Sequence, residues 1–227
     1  MAGVNDIAVL IPAYQPDTKL VGLVNALRAD FPHVVVVDDG STGCDDVFGA
    51  IRNRVEALLV HPANRGKGAA LKTGFAWIRE RLPNVAGVVT ADADGQHTPA
   101  DIRRVAAATA ARKGGLVLGV RAFEGPVPFR SRFGNGWARL FFRLRTGLAI
   151  QDTQTGLRGI PADLLGRVAA LPGDRYEYEM RMLADARHHA LPPLQLPIRT
   201  VYLEGNRSSH FRPFRDALRT QVALWLR

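Results

Sequence analysis

A chain of 227 residues, 47% hydrophobic and 22% charged, is long enough to bury a sizeable core as one domain. Its single cysteine, Cys44, excludes an intramolecular disulfide and fits a reducing, cytoplasmic compartment. It reads without a signal peptide, and no apolar run is long enough to span a bilayer. The net charge of +9 sits in two segments: residues 121–145 hold six Arg against one Glu, residues 199–227 hold six Arg against two acids, and the remainder balances. Basic charge confined in this way suggests an anionic partner: nucleic acid, a membrane surface or a phosphate.

The first half alternates strands and helices. Apolar runs at Ile7–Ile11, Val34–Val37, Leu58–Val60, Gly87–Val89 and Leu116–Val120 read as buried parallel strands. Between them, residues 17–30, 43–57, 67–82 and 99–112 fit amphipathic helices, with Asp17 and Thr98 as start signals and Pro99 in a first turn. The pattern is a doubly wound α/β sheet, whose ligands bind beyond the carboxyl ends of the strands. The second half is less regular: helices are expected at 131–147, 161–170 and 175–189, a strand through Leu194–Tyr202, and a last helix from about 212.

Three motifs fall at strand ends: Pro12-Ala13-Tyr14, Asp38-Asp39-Gly40-Ser41 and Asp92-Ala93-Asp94-Gly95-Gln96-His97. The last carries the most chemistry. Two carboxylates at i, i+2 at the end of a strand lie on one face and can converge on one cation. Mg²⁺ and Mn²⁺ take oxygen ligands and are held by one or two carboxylates plus substrate phosphates. A calcium loop would place Gly sixth and Glu twelfth, where this chain has His97 and Arg103. A phosphatase of the haloacid-dehalogenase type places its Asp-x-Asp-Gly near the N-terminus, followed by Thr. Asn64-Arg65-Gly66-Lys67-Gly68, opening a helix, is either a capped turn or a phosphate cradle of backbone N–H groups plus Lys67. It lacks the Walker Lys-hydroxyl pair, and no Gly-x-Gly-x-x-Gly follows the first strand, so nucleotide hydrolysis and dinucleotide chemistry find no support.

The order Ile-Pro-Ala-Tyr, Val-Asp-Asp-Gly-Ser, Asn-Arg-Gly-Lys-Gly-Ala-Ala, Ala-Asp-Ala-Asp-Gly-Gln-His and Leu-Gly-Val-Arg resembles the family 2 glycosyltransferases of GT-A fold. The nearest branch is that of dolichyl-phosphate mannose synthase and the bacterial undecaprenyl-phosphate sugar transferases. The resemblance spans roughly residues 7–210. It implies a nucleotide-binding half (1–120) and an acceptor half (121–205) of one catalytic domain, followed by a basic amphipathic, membrane-facing segment (206–227).

It also implies a metal-dependent, inverting transfer of a hexose from a UDP- or GDP-sugar to a polyprenyl phosphate, peripheral at the inner face of the cytoplasmic membrane. Pro12, Ala13, Tyr14, Val37 and Asp39 would line the nucleobase and ribose, with Lys67, Asp92 and Ala93 at the rest of the donor. Asp92 and Asp94, with Gln96, would hold Mg²⁺ or Mn²⁺. Arg121 would face the sugar or the acceptor phosphate. Arg132, Arg158, Arg207 and Ser209 would complete the acceptor site. Asp152-Thr-Gln-Thr-Gly156-Leu-Arg158 resembles the family's Asp-x-x-Ser-Gly-Phe-Arg segment, with Thr155 for Ser and Leu157 for Phe. Relatives in this branch often continue into membrane helices, so the resemblance leaves room for a membrane-embedded partner or for membrane helices beyond residue 227.

An ionised phosphate acceptor needs no strong base, whereas a sugar hydroxyl does, and Asp152 is the carboxylate placed to serve. Arginines suit the phosphate, because guanidinium matches it with paired hydrogen bonds. Residues 130–148 interleave five Arg with Phe133, Trp137, Phe141, Phe142 and Leu148, and Phe214, Leu218, Val222 and Trp225 share one helical face. Both read as interfacial surfaces with aromatics at headgroup level. Nucleic-acid binding is the reading of a different class, but no recognised motif for it is present and no nucleic-acid partner is expected. A nucleotidyltransferase would carry a Gly-rich loop after the first strand, and residues 11–17 contain no glycine.

Overall fold

The computed structural model describes residues 3–121 and 142–199. The elements in chain order are β1 (Ile7–Ala13), α1 (Thr18–Leu27), β2 (Val34–Asp38), α2 (Asp45–Ile51), β3 (Ala57–Val60), α3 (Lys67–Arg81), β4 (Gly87–Thr90), α4 (Pro99–Ala110), β5 (Val117–Arg121), β6 (Arg158–Pro161), α5 (Ala162–Ala169), α6 (Tyr176–Asp185) and β7 (Leu194–Ile198). Residues 142–146 are also helical. The remaining expectations, the helix from about 212 and the rest of 131–147 among them, lie outside the described residues, as do Arg132, Arg207 and Ser209.

One seven-stranded sheet, ordered β3-β2-β1-β4-β6-β5-β7, organises the chain. Its left half is parallel: β1 pairs with β2 and β4, and β2 with β3. The sheet is doubly wound, so β1 and β2 are wholly buried, and their alternating side chains feed two separate cores. Ile7, Val9 and Ile11 face Leu20, Val24, Leu27 and Ile102. Ala8 and Leu10 face Phe75, Ile78 and Tyr178.

The helix starts are where the cap residues put them. Asp17 accepts from the Lys19 N–H, and Thr98 accepts from the Asp101 N–H ahead of Pro99.

Three expectations are corrected. The expected helix 43–57 stops at Ile51, passes through a 3₁₀ turn at Arg52–Arg54, and Ala57 already pairs with Val35 in the sheet. Leu58–Val60 is not a buried strand: β3 is an edge of the sheet, and Val60 is 60% exposed. Arg158–Ile160 had no expected element and Pro161 was expected to open a helix, yet Arg158–Pro161 forms β6, which runs antiparallel between β4 and β5. This strand carries the second half of the chain into the middle of the sheet, beside the acidic turn that follows β4.

Candidate active site

The carboxyl ends of β1, β2 and β4 meet at one edge of the sheet, with Pro12 opposite Val37, Ala13 opposite Asp38 and Leu10 opposite Thr90. Tyr14 stands 41% exposed at this edge. The turns are sewn together: the Gln15 N–H donates to Ser41 Oγ, and the Ser41 N–H to Asp38 Oδ1.

Asp39 is 3% exposed, and its carboxylate accepts four hydrogen bonds. Oδ1 takes His61 Nδ1 at 2.7 Å and the Arg65 N–H at 3.0 Å; Oδ2 takes Asn64 Nδ2 at 3.0 Å and the Gly66 N–H at 2.7 Å. His61 Nε2 in turn lies 2.9 Å from Thr73 Oγ1. Four donors fill the acceptor capacity of a carboxylate, so Asp39 organises the turn at 61–66 beneath the exposed edge. Asp39→Ala is therefore expected to act on stability before donor binding. Each buried donor left unsatisfied costs about 1–3 kcal/mol, so chemical denaturation should show a loss of several kcal/mol. A stability unchanged from wild type, with only the donor KM raised, would return Asp39 to a purely ligand-facing role.

The same bonds bear on the two readings of Asn64–Gly68. Two of its N–H groups, those of Arg65 and Gly66, are spent on Asp39, and the Ala69 N–H just beyond it bonds the Asp174 carbonyl. Gly66 has φ +106°, and a Cβ there would lie 2.4 Å from the Asp174 carbonyl oxygen. The segment is a turn packed against the residues leading into α6, with the Arg65 and Gly66 N–H groups turned inward to Asp39.

Lys67 points from that turn to the acidic motif. Its Nζ lies 2.7 Å from Asp92 Oδ1 and 2.9 Å from Glu179 Oε2, with the side chain 21% exposed. Burial disfavours the charge on Asp92, but Lys67, His97 and Arg158 outweigh it and bring the carboxyl down to about 2. Burial also disfavours the Lys67 ammonium, yet Asp92 and Glu179 raise its pKa above the ordinary lysine value. Asp94 is the opposite case. Burial, and then the charge of Asp92, push its carboxyl up, against the Gln96 N–H that bonds its Oδ1. His97 is committed elsewhere, since its Nδ1 accepts the Asp92 N–H.

The donor set fits a hard divalent cation. Two like-charged carboxylates on one turn, one of them pushed toward protonation by burial and then by the other, with Gln96 next along the turn, are relieved by a cation between them. Among the described residues no group of three or more His, Cys, Asp or Glu could hold a metal alone. The rest of the shell falls to water and substrate oxygens, the habit of Mg²⁺ and Mn²⁺.

On the far side of Asp92 the backbone of Gly156 closes the site: a Cβ there would lie 2.3 Å from Asp92 Oδ2. Thr90 Oγ1 holds the Gly156 carbonyl at 2.7 Å. Arg121, at the end of β5, donates Nε to Asp152 Oδ2 at 2.7 Å and Nη2 to Oδ1 at 3.1 Å, and the Gln154 N–H adds a third bond to Asp152, whose side chain is 1% exposed. Arg158 lies beneath the site at 1% exposure, donating Nε to the Thr155 carbonyl and Nη1 to the Glu179 carbonyl. Its guanidinium faces Glu179 and the Asp92 turn, not the surface where an acceptor would arrive.

Sequence reasoning missed Glu179, His61 and the steric role of Gly156. Glu179 had a signal: with Met182, Leu183 and Ala186 it falls on one buried helical stripe, and an acid in such a stripe demands a partner.

A family model described as glycosyl transferase family 2 matches residues 8–161. The chain belongs to the family 2 glycosyltransferases. This glycosyltransferase is 31% identical over 213 residues to an uncharacterized protein of Methanocaldococcus jannaschii, covering 90% of this chain and 85% of that one. It is 29% identical over 223 residues to the UDP-N-acetylglucosamine–dolichyl-phosphate N-acetylglucosaminyltransferase of Methanococcus voltae, covering 87% and 86%. It is 29% identical over 203 residues to the polyprenol monophosphomannose synthase of Mycolicibacterium smegmatis, covering 84% and 75%.

Among solved structures, glucosyl-3-phosphoglycerate synthase of Mycobacterium tuberculosis, in complex with Mn²⁺, UDP and glucosyl-3-phosphoglycerate, matches with a TM-score of 0.65. The match covers 95% of this chain and 76% of that one at 17% identity. Mannosyl-3-phosphoglycerate synthase from Rubrobacter xylanophilus matches at 0.66, covering 96% and 71% at 17% identity. These two establish the GT-A fold for the glycosyltransferase.

Proposed function

We propose that this glycosyltransferase moves a hexose from a UDP- or GDP-sugar to a polyprenyl phosphate at the inner face of the cytoplasmic membrane, with inversion. Asp92 and Asp94, with Gln96, hold Mg²⁺ or Mn²⁺, which when bound neutralises charge developing on the leaving diphosphate. Tyr14, exposed at the strand ends over the buried Pro12, Ala13 and Val37, binds the nucleoside, and Ala93 lies between the two metal carboxylates.

The observation that carries the acceptor class is the state of Asp152. A general base must have a lone pair free for the proton it takes. Asp152 is buried and gives its oxygens to both arms of the Arg121 fork and to the Gln154 N–H. With three of its four acceptor sites taken and its side chain buried against Arg121, Asp152 is badly placed to take a proton from a hydroxyl, which favours a nucleophile that arrives already ionised, as a phosphate monoester does. Arg121, held in plane by Asp152, presents its partly exposed guanidinium toward it. The names of the M. voltae and M. smegmatis relatives, and the basic segments around residues 121–145 and 199–227, agree with a lipid phosphate at a membrane surface. No helix among the described residues is long and apolar enough to cross a membrane.

The test is direct. The protein with Mn²⁺ and UDP- or GDP-hexoses should form a lipid-linked sugar on undecaprenyl phosphate and none on undecaprenol or oligosaccharide. A thermal-shift panel of the nucleotides selects the donor beforehand. Transfer to a hydroxyl with none to the lipid phosphate overturns the reading in favour of polysaccharide or glycolipid synthesis.

Arg121→Lys separates charge from geometry at this position. Lysine keeps the positive charge opposite buried Asp152 but loses the planar fork. A lost charge-assisted contact is worth about 1.5–3 kcal/mol, so acceptor kcat/KM should fall by roughly one to two decades while donor KM stays within about twofold. Equal losses for donor and acceptor would remove Arg121 from the acceptor site.

A further inference from the structure

We propose that Lys67 is a built-in counter-cation that keeps divalent metal off the Asp92–Asp94 turn until the donor's diphosphate arrives, and that Glu179 sets the strength of that block. The inference rests on the reading of Asp92 and Asp94 as metal ligands. Lys67 Nζ sits on Asp92 Oδ1 at 2.7 Å, on one of the two carboxylates a cation would use. It is anchored there from behind by Glu179 Oε2 at 2.9 Å. Glu179 is itself fixed: it is 8% exposed, and the buried Arg158 donates to its carbonyl and lies 4.0 Å from its Oε1.

The cluster therefore sets three carboxylates (Asp92, Asp94, Glu179) against two cations (Lys67, Arg158). What is left for a divalent ion is a weak net attraction, and the ion would have to share Asp92 with an ammonium. A nucleoside diphosphate adds several negative charges at the open side of the turn and reverses the balance. Metal and nucleotide binding then become strongly and reciprocally coupled, as linkage requires. Glu179 faces the buried side of the cluster and does not line the strand-end edge, so it acts through Lys67 as a positioning residue.

The charge argument fixes opposite signs for two variants, which simple structural damage would not produce. Lys67→Met removes the competing cation, so Mn²⁺ should bind about tenfold more tightly in the absence of nucleotide, a modest response for a neighbouring unit charge at a partly exposed site. The gain in UDP or GDP affinity on adding Mn²⁺ should shrink by a similar factor. Glu179→Gln keeps an oxygen for Lys67 but deletes a negative charge, so nucleotide-free Mn²⁺ binding should weaken severalfold.

The experiment is Mn²⁺ titration of the protein by electron paramagnetic resonance at pH 8, without nucleotide and with saturating UDP or GDP. Wild type, Lys67→Met, Lys67→Gln, Glu179→Gln and Asp94→Asn would be compared, each checked for a cooperative melt. Lys67→Gln stands in if Lys67→Met does not fold. Tighter nucleotide-free Mn²⁺ binding in the lysine variants, with weaker binding in Glu179→Gln, supports the inference. If the lysine variants bind Mn²⁺ no better than wild type while Asp94→Asn has lost it, the inference is overturned and the metal site stands. If Asp94→Asn binds Mn²⁺ as wild type does, the metal reading itself fails, and the inference falls with it.

Discussion

Asp94→Asn should leave a folded protein with turnover reduced by roughly a hundred- to a thousandfold, the scale set by losing one preorganised electrostatic element at a developing anion. The fold should survive because Asn keeps the acceptor oxygen that the Gln96 N–H uses at 3.0 Å. In the metal-free protein the variant should melt at or slightly above the wild-type temperature. Burial and the neighbouring Asp92 charge raise the Asp94 pKa, so its ionised form is disfavoured in the folded state at neutral pH. Exchanging it for a neutral amide relieves that cost. With Mn²⁺ and nucleotide the order should invert: wild type gains stability from the bound pair, and the variant gains far less. Calorimetry of nucleotide binding with and without Mn²⁺ checks the cause, since the metal dependence should vanish along with turnover. Full activity in Asp94→Asn, or in excess chelator, would sink the idea.

That residue was legible in the sequence because its signal is local: an apolar run ending in two acids two residues apart needs only the strand's own period to place them. The same holds for the starts of α1 and α4, where a side-chain cap and a proline act within one turn of themselves. The losses came where a partner lies far along the chain. The packing of Asn64–Gly68 could not be read from its own residues because the Arg65 and Gly66 N–H groups bond Asp39, 25 residues or more before them, and the Ala69 N–H just beyond bonds the carbonyl of Asp174, about a hundred after. β6 was invisible for a different reason. Arg158-Gly159-Ile160-Pro161 has neither an apolar run nor an alternating pattern, and it is a strand because β4 and β5 sit on both sides of it. Arg158 sharpens the point. Its motif associates it with an acceptor, but tertiary packing puts its guanidinium under the site, where Glu179 and Thr155 hold it. Motif order thus placed the strand-end residues together, while the division between residues exposed at that edge and residues buried beneath it depended on β6.

Gly156→Ala should be nearly as damaging as loss of a metal ligand, for a steric reason that no charge argument anticipates. A Cβ at 156 would lie 2.3 Å from Asp92 Oδ2 and 2.7 Å from Oδ1, closer than any real contact. The Gly156 backbone is not left-handed, so alanine is conformationally acceptable there and the closest conflict is with the Asp92 carboxylate. The loop cannot simply back away, because Thr90 Oγ1 grips the Gly156 carbonyl and the Gly119 N–H bonds the Leu157 carbonyl. Asp92 must therefore turn, loosening its contact with Lys67 and separating its oxygens from Asp94. Misplacement on the order of 1 Å at a reacting site costs about 10²-fold, so kcat/KM should fall by two to three decades, with metal-assisted nucleotide binding weakened in step. Overpacking should cost only about 1–3 kcal/mol of stability, which a denaturant titration separates from the functional loss. The second-site test follows from the grip. Thr90→Val alone should be mild, but combined with Gly156→Ala it frees the carbonyl, lets the loop withdraw and recovers part of the metal-dependent binding. If Gly156→Ala keeps wild-type metal dependence, Asp92 does not need the wall that Gly156 provides, and the metal must be held by a geometry other than the one these residues define.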